Sequence, residues 1–312
     1  MKDIPPKKRW QAVHGVLLLD KPGGMTSNAA LQKARRLFSA AKAGHTGTLD
    51  PMATGLLPLC FGAATRFSAD ILRADKTYEA EICFGAMTDT GDREGQITRR
   101  AALPPDLADR IAGLLARFTG EQLQTPPMYS ALKHNGRPLY ELARQGVTVE
   151  RAPRRVVFYA LEPLSWASPR LSLRVKCSKG AYIRTLAGDL GQAADCGAHL
   201  TALRRVQVGA LELRRAHTLE VLESLSENER LACIDAVDSL LATLPAIRLN
   251  TEAASRFLHG NPVPGVRAQA PDADGDVRVY QEHEQEGAQI FLGQGYFKPD
   301  GSLCPRRVKP VP

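Results

Sequence analysis

Gly44-His45-Thr46-Gly47-Thr48-Leu49-Asp50-Pro51-Met52-Ala53-Thr54-Gly55 carries the densest chemical signal in the chain. One carboxylate stands among glycines, hydroxyl residues and a proline. Pro51 biases Asp50 toward an extended backbone, and the glycines permit a tight loop that packs closely against a ligand. A polar surface loop is the plain alternative for any single Asp of this kind, so the flanking sequence has to decide.

Upstream, Gly15–Asp20 (GVLLLD) reads as a short buried strand ended by the turn Lys21-Pro22-Gly23-Gly24. Ser27 or Thr26 can cap a following helix with Leu31, Ala34, Leu37 and Phe38 on one face and Lys33, Arg35 and Arg36 on the other. Downstream, Thr77–Phe84, Arg155–Leu161, Leu171–Cys177 and Val206–Leu213 read as strands. Pro105 to Phe118 reads as an amphipathic helix closed by Gly120, and Tyr182–Ala194 as another ending near Gly197. Strands and helices interleave without a regular βαβ repeat, which predicts a mixed α+β sheet rather than a doubly wound one. Glu223–Leu244 reads as helical and leads to Leu244-Pro245, a domain boundary. Beyond it, Val277–Gln281 and Gln289–Phe297 predict a small β-rich domain. The expected organisation is a basic lead at 1–12, a catalytic domain at 13–245 and a tail domain at 246–312.

The 312 residues carry 41 Lys+Arg against 33 Asp+Glu, a net charge of +8. Residues 246–312 are neutral, so the whole excess lies in the first 245. Such a domain attracts an RNA backbone, although a modest excess also serves solubility. Six scattered cysteines without a CxxC pair suit free thiols in a reducing cytosol rather than a disulfide framework or thiolate zinc site. The VLLL run is too short for a signal peptide core or a membrane span, so the expected location is cytoplasmic.

No GxxxxGK[ST] and no GxGxxG occurs. Asp272, Asp274 and Asp276 imitate the start of a calcium loop, but Val277 replaces its glycine and His283 its final Glu, which leaves a solvated turn. Asp89-Thr90-Gly91-Asp92 could suggest a cation site, but a hairpin turn explains it as well. The histidines lack metal-ligand spacing. The expected chemistry therefore uses neither a metal nor a cofactor.

The glycine-rich string around Asp50 resembles the active-site loop of the pseudouridine synthases that modify uridine 55 of transfer RNA, the TruB family. Further motifs follow in that family's order over about two-thirds of the chain. They are Asp20-Lys21-Pro22-Gly23-Gly24-Met25-Thr26-Ser27, Lys76-Thr77-Tyr78, Thr88-Asp89-Thr90-Gly91-Asp92, Pro126 to Lys133 with Leu139 to Arg144, Lys179 to Gly191, and Leu203-Arg204-Arg205. Leu249, Ala253, Phe257, Gly260 and Val263 more loosely resemble the opening of the family's PUA-like RNA-binding module. The resemblance implies the pseudouridine synthase fold, a mixed and largely antiparallel sheet flanked by helices, with an RNA-gripping insertion at about 124–152.

It also implies a reaction that is redox-neutral and needs no cofactor: the N1–C1′ bond breaks, the uracil turns, and the base rejoins through C5. By resemblance Asp50 is the catalytic carboxylate, and Arg184 pairs with it, which would keep it ionised and oriented. Tyr78 matches the tyrosine that stacks on the target base, Tyr182 another pocket residue, and His45 a histidine that fills the gap when the nucleotide is extruded. Attack at C6, attack at C1′ and removal of the 2′ proton all remain open for Asp50. Lys133, Arg137 and Arg144, interleaved with Tyr129 and Tyr140, are expected to grip phosphates, as is Arg205. Lys21 and Lys76 could serve phosphates or support the loop. The expected partner is the T-arm of transfer RNA, bound by a monomer. A guide-RNA-dependent relative is disfavoured by the complete insertion, and a non-catalytic RNA-binding or RNA-folding protein by the presence of Asp50 with Arg184.

Overall fold

Both faces of strand β1 (Gly15–Lys21) are buried, Leu17 and Leu19 in one core and Val16 and Leu18 in another. The computed structural model describes residues 10–270, 275–282 and 289–310. After β1, Thr26 accepts the Ala29 N–H at 3.1 Å and caps helix α1 (Ser27–Leu37), whose Ala30, Leu31 and Ala34 face the first core. Strand β2 (Ala43–His45) leads through the glycine-rich loop to β3 (Thr54–Phe61). Next come β4 (Lys76–Phe84), helix α2 (Leu107–Phe118), β5 (Gly120–Gln124), helix α3 (Leu139–Arg144), β6 (Arg154–Ala167) and β7 (Arg170–Cys177). Helix α4 (Ile183–Ala193), β8 (Ala198–Val208) and the short β9 (Ile234–Asp235) complete the large sheet.

The spatial order is β9-β1-β3-β8-β4-β7-β6-β5. Neighbours along it are antiparallel except β3 and β8, which run parallel. The second edge of β3 is shared: β8 pairs at Thr54 and Gly55, and β2 pairs at Leu59 to Phe61. The loop carrying Asp50 emerges where these partners part. Helices α2 and α4 cover the first core with Ile111, Leu114, Leu186 and Leu190. The sheet is α+β, mixed and largely antiparallel, as expected.

Residues 246–308 build a second, four-stranded sheet from β10 (Ala246–Leu249), β11 (Asp276–Glu282), β12 (Gln289–Phe297) and β13 (Leu303–Val308). Helix α5 (Thr251–Leu258) packs Phe257 into its core beside Val277 and Leu303. This sheet docks on the back of the large one. Phe291 meets Phe67 with ring centroids 5.4 Å apart, the Tyr280 hydroxyl donates to Asp238 at 2.7 Å, and Arg307 pairs with Asp70 at 2.8 Å.

Several elements differ from expectation. Strand β3 is absent from the pattern reading because Leu-Leu-Pro-Leu-Cys-Phe is buried on both faces and so does not alternate. Pro58 sits mid-strand opposite Leu18, a position that reads as a strand breaker. The late strand is Ala198–Val208 rather than Val206–Leu213, because Gly209, at φ 55°, turns the chain after Val208. Glu223–Leu244 is no single helix. Leu219–Ser224 ends, and Ser226 with Glu229 forms a capping box that starts a new helix, Glu227–Ala232, ahead of β9. Helix α2 starts at Leu107, two residues beyond Pro105. The first nine residues of the basic lead lie outside the described residues, as do Asp272, Asp274 and His283. Asp276 lies in β11, where Arg306 meets it at 3.0 Å.

Gly55 marks where loop and sheet are tightest. Its φ is 100°, and a Cβ there would lie 2.3 Å from the Arg205 carbonyl oxygen. Gly55→Ala is therefore expected to cost about 2–4 kcal/mol, read as a fall in melting temperature by circular dichroism. An unchanged melting temperature would contradict this close approach.

Candidate active site

Six hydrogen bonds anchor the glycine-rich loop and the start of β3. The buried Ser27 hydroxyl accepts the Leu49 N–H at 2.8 Å and donates to the Leu49 carbonyl at 3.0 Å. The Pro51 carbonyl accepts the Gly24 N–H at 2.9 Å. Arg205 donates from Nη2 to the Gly47 carbonyl at 3.1 Å and from Nε to the Leu56 carbonyl at 2.8 Å. Thr46 donates its N–H to the Pro58 carbonyl at 3.0 Å. The Asp20–Ser27 stretch is thus the platform beneath Asp50.

Asp50 points at Arg184 on the first turn of α4. Arg184 Nε lies 2.8 Å from Asp50 Oδ2, and Nη2 donates to Oδ1 at 3.2 Å. A second carboxylate, Asp92, lies 3.6 Å from the same Nε. The guanidinium also donates to the Thr90 carbonyl at 3.0 Å and to the Tyr129 carbonyl at 2.6 Å. Arg184 is 5% exposed, whereas the Asp50 side chain keeps 33% of its surface open. Asp50 therefore has one side in a low-dielectric wall and one side open to a ligand. Burial pushes its carboxyl above the ordinary value of 3.8, and Asp92 adds to that push, while Arg184 and Lys21 pull it down. Desolvation is the largest of these influences, and Arg184 the largest that opposes it.

Asp50 and Arg184 line a cavity of about 320 Å³ together with Tyr78, Tyr182, Leu203 and Arg205. Tyr78 on β4 sits opposite Arg205 on β8 in the strand register, and burial pushes its hydroxyl pKa up. Tyr182 stands at the N-cap of α4, and burial raises its hydroxyl likewise. Asp50, Arg184, Tyr78 and Tyr182, singled out by resemblance, meet at this cavity.

The cations expected at RNA divide into two sets. Lys133, Arg137 and Arg144 are exposed on the insertion. Lys133–His134 and Arg137–Pro138 form a tiny hairpin turned by Asn135 and Gly136, both at positive φ. Arg144 lies over the Tyr140 ring at 5.7 Å. Arg205, by contrast, is 1% exposed and engaged with loop carbonyls, so it buttresses the site instead of meeting phosphates at the surface. Lys21 is fully buried and donates to the Pro22 and Met25 carbonyls at 2.7 and 2.6 Å, and Lys76 donates to the Leu72 carbonyl at 2.9 Å. Both support loops, and burial lowers each ammonium to about 8. His45 is half-buried on β2, its Nδ1 enclosed without a hydrogen-bond partner among the described residues, and burial lowers its pKa.

Two residues escaped the sequence reading. Asp92 looked like a hairpin turn residue, and it does accept from Thr90 Oγ1 at 2.6 Å and from the Glu94 N–H at 3.0 Å. Its link to Arg184 spans two motifs far apart in the chain. Gln124, at the end of β5, accepts the Tyr182 N–H at 3.0 Å, and no local pattern marked it. Among the described residues, no group of three or more His, Cys, Asp or Glu side chains could hold a metal ion. Nor is any described helix long and apolar enough to cross a membrane.

The chain matches known families and proteins along most of its length. Residues 35–183 match the model described as TruB family pseudouridylate synthase (N terminal domain). Residues 184–242 match the tRNA pseudouridylate synthase B C-terminal domain, and 245–308 match Pseudouridine synthase II TruB, C-terminal. The tRNA pseudouridine synthase B of Dechloromonas aromatica (strain RCB) is 54% identical over 302 residues, covering 97% of each chain. That of Ralstonia nicotianae is 54% identical over 308 residues, covering 97% of this chain and 96% of its own. Among solved structures, a chain of a Cbf5-Nop10-Gar1 complex superposes with a TM-score of 0.71 at 24% identity, over 96% of this chain and 86% of that one. An archaeal box H/ACA sRNP Nop10-Cbf5 complex gives 0.67 at 22% identity, over 99% and 92%. The fold is that of the pseudouridine synthases. By its family matches and its identity to relatives along nearly their whole length, the chain belongs to the TruB family of pseudouridylate synthases, a family of isomerases.

Ser27→Ala removes both bonds to Leu49 and leaves a buried N–H and carbonyl unpaired. A loss of about 1–3 kcal/mol in denaturant unfolding is expected. Unchanged stability would show that the loop holds its shape without this clamp.

Proposed function

We propose that the protein isomerises uridine 55 in the T-loop of transfer RNA to pseudouridine, with Asp50 as the catalytic carboxylate. The observation that carries this reading is the Asp50–Arg184 pair at the wall of a cavity shared with two tyrosines. The kinship with proteins named tRNA pseudouridine synthase B, along nearly the whole chain, supports transfer RNA as the substrate. The full insertion at 126–144 supports a stand-alone enzyme over a guide-dependent one.

In the reaction the N1–C1′ bond breaks and a C5–C1′ bond forms. The hydrogen on C5 leaves as a proton and N1 takes one up, so the atoms balance without an oxidant or reductant. Asp50 acts through its ionised form, whether it attacks C6, attacks C1′ or takes the 2′ proton. Because burial raises its pKa, the acid limb of the rate lies above an ordinary carboxylate's, and turnover falls as pH drops through it. Arg184 opposes that rise and, by reaching both oxygens, fixes the orientation of the carboxylate.

The target base must leave its stack to reach the cavity. Tyr78 offers a flat ring for it. His45, whose pKa is lowered, is neutral near pH 7 and fills the space left in the RNA without adding charge. Lys133, Arg137 and Arg144 meet the phosphate backbone from the insertion. We place this activity in the cytoplasm, where the six free thiols stay reduced.

The test is tritium release from a T-arm stem-loop carrying uridine labelled at C5, with wild type and Asp50→Asn compared under identical conditions. Release by wild type alone, with RNA affinity retained in Asp50→Asn, is the expected result. Equal release by a folded Asp50→Asn protein would remove Asp50 from the chemistry, and no release by wild type would remove the reaction.

A further inference from the structure

Gln124 lies at the root of the insertion and is 3% exposed on β5, an edge strand of the large sheet. A buried carboxamide must find partners for both its donor and its acceptor. Gln124 finds them on one residue: Oε1 accepts the Tyr182 N–H at 3.0 Å, and Nε2 donates to the Tyr182 carbonyl at 3.3 Å. Tyr182 is the N-cap of α4 and supplies no capping side chain of its own. Its carbonyl also accepts the Leu186 N–H at 3.1 Å, the first bond of the helix. The start of α4 is therefore fixed from outside, by Gln124, and Arg184 follows two residues later.

The insertion reaches Arg184 a second time. Tyr129, inside it, gives its carbonyl to Arg184 Nη2 at 2.6 Å. The base of the insertion is closed by Arg151, which donates from Nη1 to the Pro126 carbonyl at 3.1 Å. The segment that presents Lys133, Arg137 and Arg144 is thus tied to Arg184 at two points, one through Gln124 and α4 and one through Tyr129.

We propose that Gln124 is a positioning residue that aims Arg184 at Asp50 and links the seating of the RNA-gripping insertion to assembly of that ion pair. This rests on the function proposed above. It assigns Gln124 no contact with substrate. Removing the carboxamide lets the first turn of α4 shift, and an arginine carried by that turn loses its grip on Asp50 before it loses its fold. Since Arg184 pulls the Asp50 pKa down, the loss shows in the pH dependence as well as in the rate.

The experiment is single-turnover tritium release from the T-arm stem-loop as a function of pH, with RNA affinity measured alongside, for wild type, Gln124→Met and Arg184→Gln. For Gln124→Met the expected result is a rate lower by ~10- to 100-fold at neutral pH. Its acid limb moves up, in the direction Arg184→Gln moves it, while RNA affinity stays at the wild-type level. A wild-type limb overturns the proposal, even with a slower rate, because a merely structural residue would slow the enzyme without retuning Asp50. Weakened RNA binding with an unmoved limb overturns it too, by making Gln124 a support of the insertion alone. If Gln124→Met does not fold, Gln124→Glu decides. It keeps the acceptor for Tyr182 and loses the donor, so a smaller loss with the limb moved the same way is expected, and an unmoved limb overturns the proposal. Release by wild type with normal behaviour of the variants sinks only this inference. No release by wild type sinks the proposed function and this inference with it.

Discussion

A guanidinium taken out of water must be paired almost completely, or it costs more than the fold can offset. Arg184 meets that demand by collecting acceptors from three separate parts of the chain. Asp50 comes from the loop between β2 and β3, Asp92 and the Thr90 carbonyl from the hairpin after β4, and the Tyr129 carbonyl from the insertion. Helix α4 supplies the arginine itself. Loop, hairpin, insertion and helix are brought into register by one side chain, and the cavity exists because they are.

The electrostatics of the cavity follow from the same crowding. Burial works against charge around the loop: it raises the Asp50 carboxyl and lowers Lys21, Lys76 and His45. Arg205, buried and bonded to the loop, keeps a fixed positive charge beneath it. A carboxylate held in such surroundings is poorly solvated and well oriented, which is what a reactive anion requires. The platform grips the loop through the Gly24 N–H and the Ser27 hydroxyl, neither of which places another anion beside Asp50.

Much of this was legible in the sequence because turn and cap chemistry is local. Thr26 as a cap, the glycines of the loop, and the apolar faces of α1 and α2 are all set by near neighbours. Strand β3 was not legible, since burial on both faces erases alternation and Pro58 imitates a break. Asp92 read as a turn residue because its arginine lies on another motif. Arg205 read as an RNA-facing cation, and Lys21 and Lys76 stayed open between phosphates and loop support, because a sequence carries no sign of burial. Gln124 left no signal at all, as its two bonds are to the backbone of a distant residue. Tyr78, Tyr182 and Arg184 were found by resemblance, and the structure adds the cavity they share.

The central claim is that Arg184 restrains an Asp50 carboxyl that burial drives upward. It is tested most directly by titrating Asp50 itself, by NMR of the labelled carboxyl carbon in wild type and in Arg184→Gln. The account predicts a midpoint above the ordinary 3.8 in wild type and a higher one still in the variant. A midpoint unchanged or lowered on removal of the guanidinium would contradict it.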